Sequence, residues 1–123
     1  MNTMEIARKL VQLCREGKDA EARVLYANEA VSVEPIALPG IDREAKGLAA
    51  IQAKSEWWYA NHEIHSVSVT GPWPHDNRFI VGFQIDVTNK PSGRRMYLDE
   101  VGLYTVENGK IVREEFFYHL GES

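Results

Sequence analysis

The spacing of apolar residues changes once along the chain, and the change divides it into a helical first half and a stranded second half. From Met4 to Glu16 the residues Ile6, Ala7, Leu10, Val11, Leu13 and Cys14 recur every three to four positions, on one side of a helix, and Gly17 follows as a stop. Asp19 is a suitable N-cap for a second helix through Tyr26, with Ala22, Leu25 and Tyr26 inward. Ala30 to Glu34 predicts a short strand closed by Pro35, and a loop rich in Pro and Gly runs on to about Lys46. A third helix is expected from near Gly47 to about Asn61, where Leu48, Ile51, Ser55 and Trp58 share a face.

Beyond Asn61 the spacing falls to alternation. Ile64 to Thr70 alternates until Gly71-Pro72-Trp73-Pro74 breaks the pattern. Phe79, Val81, Phe83, Ile85 and Val87 make one face of the next strand, and Ile80, Gly82, Gln84, Asp86 and Thr88 the other. Asn89 to Arg95 predicts a hairpin loop and Met96 to Val106 a strand. Asn108-Gly109 accepts the positive φ angles of a type I′ turn and leads into a last strand, Ile111 to His119. Helices first and an antiparallel meander afterwards define an α+β fold. A strongly twisted sheet of this length can curl around the helices, so that one face surrounds a pocket and the other meets water or a second subunit.

Composition narrows the function classes. The chain has 123 residues, read as a single domain over 1–123, with a net charge of −4 and Lys and Arg scattered rather than striped. That argues against a nucleic-acid partner. No apolar run approaches the roughly 18 residues of a membrane span, nothing reads as a signal peptide, and a cytoplasmic setting is expected. Cys14 is the single cysteine and sits on the apolar helical face, which suits packing rather than nucleophilic chemistry. There is no dinucleotide fingerprint, P-loop or nucleophile elbow, so no cofactor is expected. His62-Glu63-Ile64-His65 is one residue short of a zinc-binding helix motif, and on a strand the two histidines face opposite ways, so no metal is expected either.

Three passages resemble one family. Tyr26-Ala27-Asn28-Glu29-Ala30 with Val33-Glu34-Pro35, Gly47-Leu48-x-x-Ile51, and Leu103 to Val112 across the last hairpin are similar to nuclear transport factor 2-like proteins, most closely the SnoaL-like group of cyclases and isomerases. The resemblance covers about Met4 to Tyr118. It implies a conical barrel of three N-terminal helices on a strongly curved antiparallel sheet, a central pocket, and a homodimer through the outer sheet face. It also implies a test. The ketosteroid isomerases of this group carry a general base just before the proline of the first strand, where Glu34 stands here. Their two oxyanion donors align near Leu10 and Gly102, neither of which can donate from a side chain. Classical steroid isomerisation is therefore not expected.

Strand parity nominates His65, Val67 and Val69 and Phe83 and Ile85 for the lining of the pocket, and the resemblance implies that Leu98, Glu100, Gly102 and Tyr104 and then Glu114, Phe116 and Tyr118 face it as well. Trp58 and Ser55 join them from the third helix, with Trp57 on a neighbouring element. A one-residue slip would turn Asp99, Glu115 and His119 inward instead. The ionisable groups are then Glu34, His65, Glu100 and Glu114, and crowding of carboxyls at low dielectric raises at least one pKa. Two functions fit. One is a cofactor-free isomerase, lyase or cyclase in which Glu34 abstracts a proton from a small apolar carbonyl compound and His65 relays it. The other is a non-catalytic dimeric module that binds a small apolar ligand or a protein. The outward residues Ile80, Gln84, Asp86, Thr88, Met96, Tyr97, Val101, Leu103 and Phe117 are too apolar for a face left in water, which favours a homodimer.

Overall fold

A computed structural model describes residues 1–119. Helix α1 (Thr3–Arg15) buries Ile6, Ala7, Leu10, Val11 and Leu13, as their spacing predicts. Its start is a capping box: the Asn2 side chain accepts from the Glu5 N–H and the Glu5 carboxylate accepts from the Asn2 N–H, both at 2.9 Å. The expected second helix is shorter than its pattern. Helix α2 is Asp19–Ala22, a 3₁₀ turn covers Arg23–Leu25, and Tyr26 already opens strand β1 (Tyr26–Val33). Pairing of Tyr26 with Ile111 across the sheet overrides helical propensity. Lys18 rather than Asp19 is the N-cap. The Asp19 carboxylate accepts instead from the Tyr59 hydroxyl.

The remaining elements are β2 (Glu44–Lys46), α3 (Leu48–Asn61), β3 (His62–His75), β4 (Arg78–Asn89), β5 (Arg94–Glu107) and β6 (Lys110–Phe117). They form a six-stranded sheet in the order β2-β1-β6-β5-β4-β3, antiparallel except for the β1–β6 pair. The last hairpin has the expected turn, with φ of 51° at Asn108 and 75° at Gly109. Gly71-Pro72-Trp73-Pro74 does not end its strand, contrary to the sequence reading. The register shifts between Thr70 and Trp73 and β3 continues. β3 is one of the two edge strands, where a proline removes no essential ladder bond. Among the described residues no helix is long and apolar enough to cross a membrane.

The core lies between α1 and the concave sheet face. Phe79 is stacked on Tyr104 with ring centroids 5.0 Å apart, and Ile6, Leu10, Val81 and Ile111 close around them. Gly102 is part of this packing: a Cβ there would stand 2.8 Å from the Tyr104 ring and 3.2 Å from that of Phe116. The rings fill the space where the resemblance would place an acid. Cys14 packs against the same core, and burial pushes its thiol up to about 12, which leaves it an inert packing group.

Register corrects two assignments of facing. Met96 pairs with Val87 and Leu98 with Ile85, so Met96 belongs to the concave side and only Tyr97 of that pair points out. In β3 the pairing passes from Ile64–Val87 directly to Ser66–Asp86. His65 is the extra residue of this bulge, and the bulge reverses parity on its N-terminal side. Its Nε2 lies 2.7 Å from Thr88 Oγ1 and its Nδ1 3.5 Å from Glu63, both on the convex face.

Candidate functional site

At the end of β1 the inward residues are Ser32 and, just beyond the strand, Glu34, whose backbone is held in place by Arg43. The Glu34 N–H donates to Arg43 O at 2.8 Å, and Arg43 Nε donates to Glu34 O at 3.0 Å. The parallel partner β6 brings Glu114 level with Ser32, and Tyr118 follows just past its end. Helix α3 runs over this corner and delivers Lys54.

These side chains form one hydrogen-bonded chain. Tyr118 donates to Glu34 Oε1 at 2.6 Å, and Lys54 Nζ donates to Glu34 Oε2 at 2.8 Å. Lys54 also donates to Ser32 Oγ. Ser32 donates to Glu114 Oε2 at 2.6 Å, and Tyr26 donates to Glu114 Oε1. Ser32 is fully buried, while Glu34 and Glu114 retain 8% and 5% exposure. Burial of this kind is tolerated because each carboxylate accepts from two donors and the ammonium lies among them. The Tyr26 and Tyr118 hydroxyls are held protonated by burial and by the carboxylates they serve.

Glu100 stands apart from the chain. It shares the concave face with Phe83 and lies at the edge of the packed region, where Ile85, Leu98 and Phe116 are also only half-buried. Burial, reinforced by the charge of Glu34 and opposed by that of Lys54, raises its pKa from 4.5 to about 7. The site therefore holds a carboxylate fixed by two donors and a second carboxyl poised to be protonated near neutrality. The Phe116 ring lies beneath the ammonium of Lys54, 5.2 Å from Nζ to the ring centroid.

The structure gathers Glu34, Glu100, Glu114, Phe116 and Tyr118, and does not bring His65 to them. Tyr104 is in the core rather than at an opening, 2% exposed. Trp58 is stacked on His62 at the exit of α3, ring centroids 3.8 Å apart, and Trp57 meets the same imidazole edge-on at 5.8 Å. Ser55 is half-buried beside Lys54 and takes no part in the hydrogen-bonded chain among the described residues. Two clefts of about 400 Å³ are found among the described residues, one between α1 and Gly71-Pro72 and one along Ser66, Val67, Gln84, Ile85, Leu98 and Asp99. Sequence reasoning missed Lys54. Its signal was present: it lies three residues after Ile51 and four before Trp58, at the edge of the apolar stripe of α3.

Fold and site together define a small α+β cone with acid–base groups on an otherwise apolar concave face. The SnoaL-like domain model matches residues 1–118, and the chain belongs to that family, within the nuclear transport factor 2-like superfamily. Among solved structures, a Mesorhizobium loti protein provisionally called both a SnoaL-like polyketide cyclase and a carbohydrate phosphatase is 42% identical, with a TM-score of 0.90 over 96% of this chain and 100% of its own. A nuclear transport factor 2-like protein of unknown function from Burkholderia pseudomallei shares the fold at 19% identity, with a TM-score of 0.78 over 97% of this chain and 92% of its own. A Bacillus subtilis protein provisionally called an isomerase does so at 22% identity, with a TM-score of 0.74 over 97% and 90%. No curated protein is significantly similar in sequence to this chain.

Proposed function

We propose that this protein is a cofactor-independent proton-transfer enzyme, an isomerase or cyclase acting on a small apolar carbonyl compound. The observation that carries this reading is the pairing of a buried and a half-buried carboxyl with different surroundings: Glu34 accepts from Tyr118 and Lys54, and Glu100, with no such donors among the described residues, is pushed up to about 7. Two carboxyls whose environments separate their proton affinities are the usual means of providing a base and an acid in one site. Glu34 takes a proton from carbon, and Glu100, protonated below about pH 7, supplies one at a second position. Ile85, Leu98 and Phe116 offer apolar surface for the body of the substrate. The polyketide cyclase part of the name given to the Mesorhizobium loti relative agrees with this reading, and its carbohydrate phosphatase part does not.

A thermal-shift screen of wild type and Glu34→Gln against small apolar carbonyl compounds, across pH 5 to 8, tests the reading. Ligands that stabilise the wild type then enter turnover assays, where Glu34→Gln is expected to lose at least about 100-fold, the usual contribution of a general base. Absence of any shift, with no pH-dependent difference between the two proteins, favours a non-catalytic binding module instead.

We also propose that the convex sheet face pairs two copies of the chain. Trp73, Ile80, Val101, Leu103 and Phe117 are neighbours on it by register, and Trp73, Ile80 and Phe117 are exposed. Beside them the ion pair Arg113–Glu115 offers both signs of charge, as a self-complementary two-fold contact requires. Phe117→Glu is expected to convert a dimer to a monomer in sedimentation measurements; a wild type that is already monomeric at high concentration removes the proposal.

A further inference from the structure

We infer that Lys54 is the group that binds the substrate's carbonyl oxygen, a role for which neither sequence position aligned with an oxyanion donor has the chemistry. This inference rests on the proton-transfer reading of the site. Removing a proton from carbon next to a carbonyl places negative charge on oxygen, and a base without a partner for that charge achieves little. The Leu10 side chain has no polar atom and is fully packed, and the space over Gly102 is filled by the Tyr104 and Phe116 rings. The Tyr118 hydroxyl donates to Glu34 and the Tyr26 hydroxyl to Glu114, so neither proton is free.

Lys54 differs from these. Its ammonium has three N–H bonds, and among the described residues two have acceptors, Ser32 Oγ and Glu34 Oε2. Its side chain keeps 12% exposure, so the group is sheltered without being sealed. Ser32, Glu34 and the Phe116 ring hold Nζ in place, so the donor is pre-oriented and needs no rearrangement as charge develops. Nζ stands 2.8 Å from the oxygen of the proposed base, close enough for one ketone to present its α C–H to Glu34 and its oxygen to Lys54. In the step, the C–H proton passes to the Glu34 carboxylate and the C–H electron pair forms the C=C bond. The C=O π pair moves to oxygen, and Lys54 donates a hydrogen bond to that oxygen while keeping its proton. Reversal with an exchanged proton returns the ketone.

The test is hydrogen–deuterium exchange at the α carbon of α-tetralone in D₂O, followed by NMR over pD 5 to 10, for wild type, Glu34→Gln, Lys54→Met and Lys54→Gln. Folding of each variant is read beforehand by near-UV circular dichroism. Wild type is expected to exchange above background and Glu34→Gln not to. If wild type does not, the proton-transfer reading itself fails and the role of Lys54 falls with it. If wild type exchanges, the high-pD plateau decides. Loss of a donor to the oxygen lowers the plateau by about 100-fold or more at every pD. If Lys54 only supports the charge on Glu34, the profile moves to higher pD and regains the wild-type plateau, which overturns the inference. Lys54→Gln is one atom shorter and uncharged but still carries an N–H, so its plateau is expected to fall less than that of Lys54→Met; if Lys54→Met does not fold, a lowered Lys54→Gln plateau supports the inference and a wild-type plateau reached at higher pD overturns it.

Discussion

Glu100→Gln is expected to stabilise the protein at pH 8.5 by about 3 kcal/mol and to leave it nearly unchanged at pH 4. In the folded chain the carboxyl titrates near 7, against an ordinary value of 4.5. Between those values the folded state binds more protons than the unfolded one, so this group lowers stability as pH rises through the window. Below 4.5 the carboxyl is neutral in both states and contributes no pH dependence. Above 7 the full difference is expressed, because folding then places a charge in an apolar corner already facing Glu34. Glutamine has the same shape and no charge, so its stability should be flatter with pH over this range. For a chain of this size the gain at pH 8.5 corresponds to a rise in Tm on the order of 10 °C. Melts of the two proteins from pH 4 to 9 measure it. Parallel curves would mean that Glu100 is not held out of water. The same titration bears on the proposed chemistry, since the acid is lost above about pH 7 and turnover should decline there.

Glu114→Ala is expected to destabilise the protein by about 4 kcal/mol at neutral pH, more than most single substitutions. Glu114 accepts from both Tyr26 and Ser32, and removing it leaves two buried hydroxyls without that acceptor. The penalty comes from stranded donors rather than from the absent carboxylate, so a second deletion should return part of it. In a Tyr26→Phe background the loss on Glu114→Ala is expected to fall by about 1–2 kcal/mol, because one donor no longer needs a partner. Urea denaturation of the four proteins closes the cycle. Strictly additive effects would show that the two groups are not coupled, and that the polar chain from Tyr118 to Tyr26 does not behave as a unit.

Much of this architecture is legible in local pattern. The helical stripe of α1, the alternation of Phe79 to Val87 and the Asn108-Gly109 turn each state their structure within a few residues, because helix faces, strand faces and turn angles are set by neighbours in sequence. Glu34, Glu100, Glu114, Phe116 and Tyr118 are nominated through the resemblance to the family rather than by local pattern, and the register places them together.

Three features were decided by contacts distant along the chain. His65 is turned outward by a bulge, which lets Ile64 and Val67, of opposite parity in a regular strand, both face inward. Tyr26 leaves its helical pattern because pairing with β6 and donation to Glu114, 88 positions away in sequence, outweigh a local preference of a few tenths of a kcal/mol. Lys54 enters the site because α3 is laid against β1, where Ser32 and Glu34 supply the acceptors that make a sheltered ammonium tolerable. Sequence alone thus determined the α+β class and most strand faces, consequences of short-range periodicity, and the resemblance it carries pointed to the carboxyls of the concave surface. Only the tertiary structure decided which charges meet, since hydrogen bonding and desolvation depend on what the fold brings within a few ångströms.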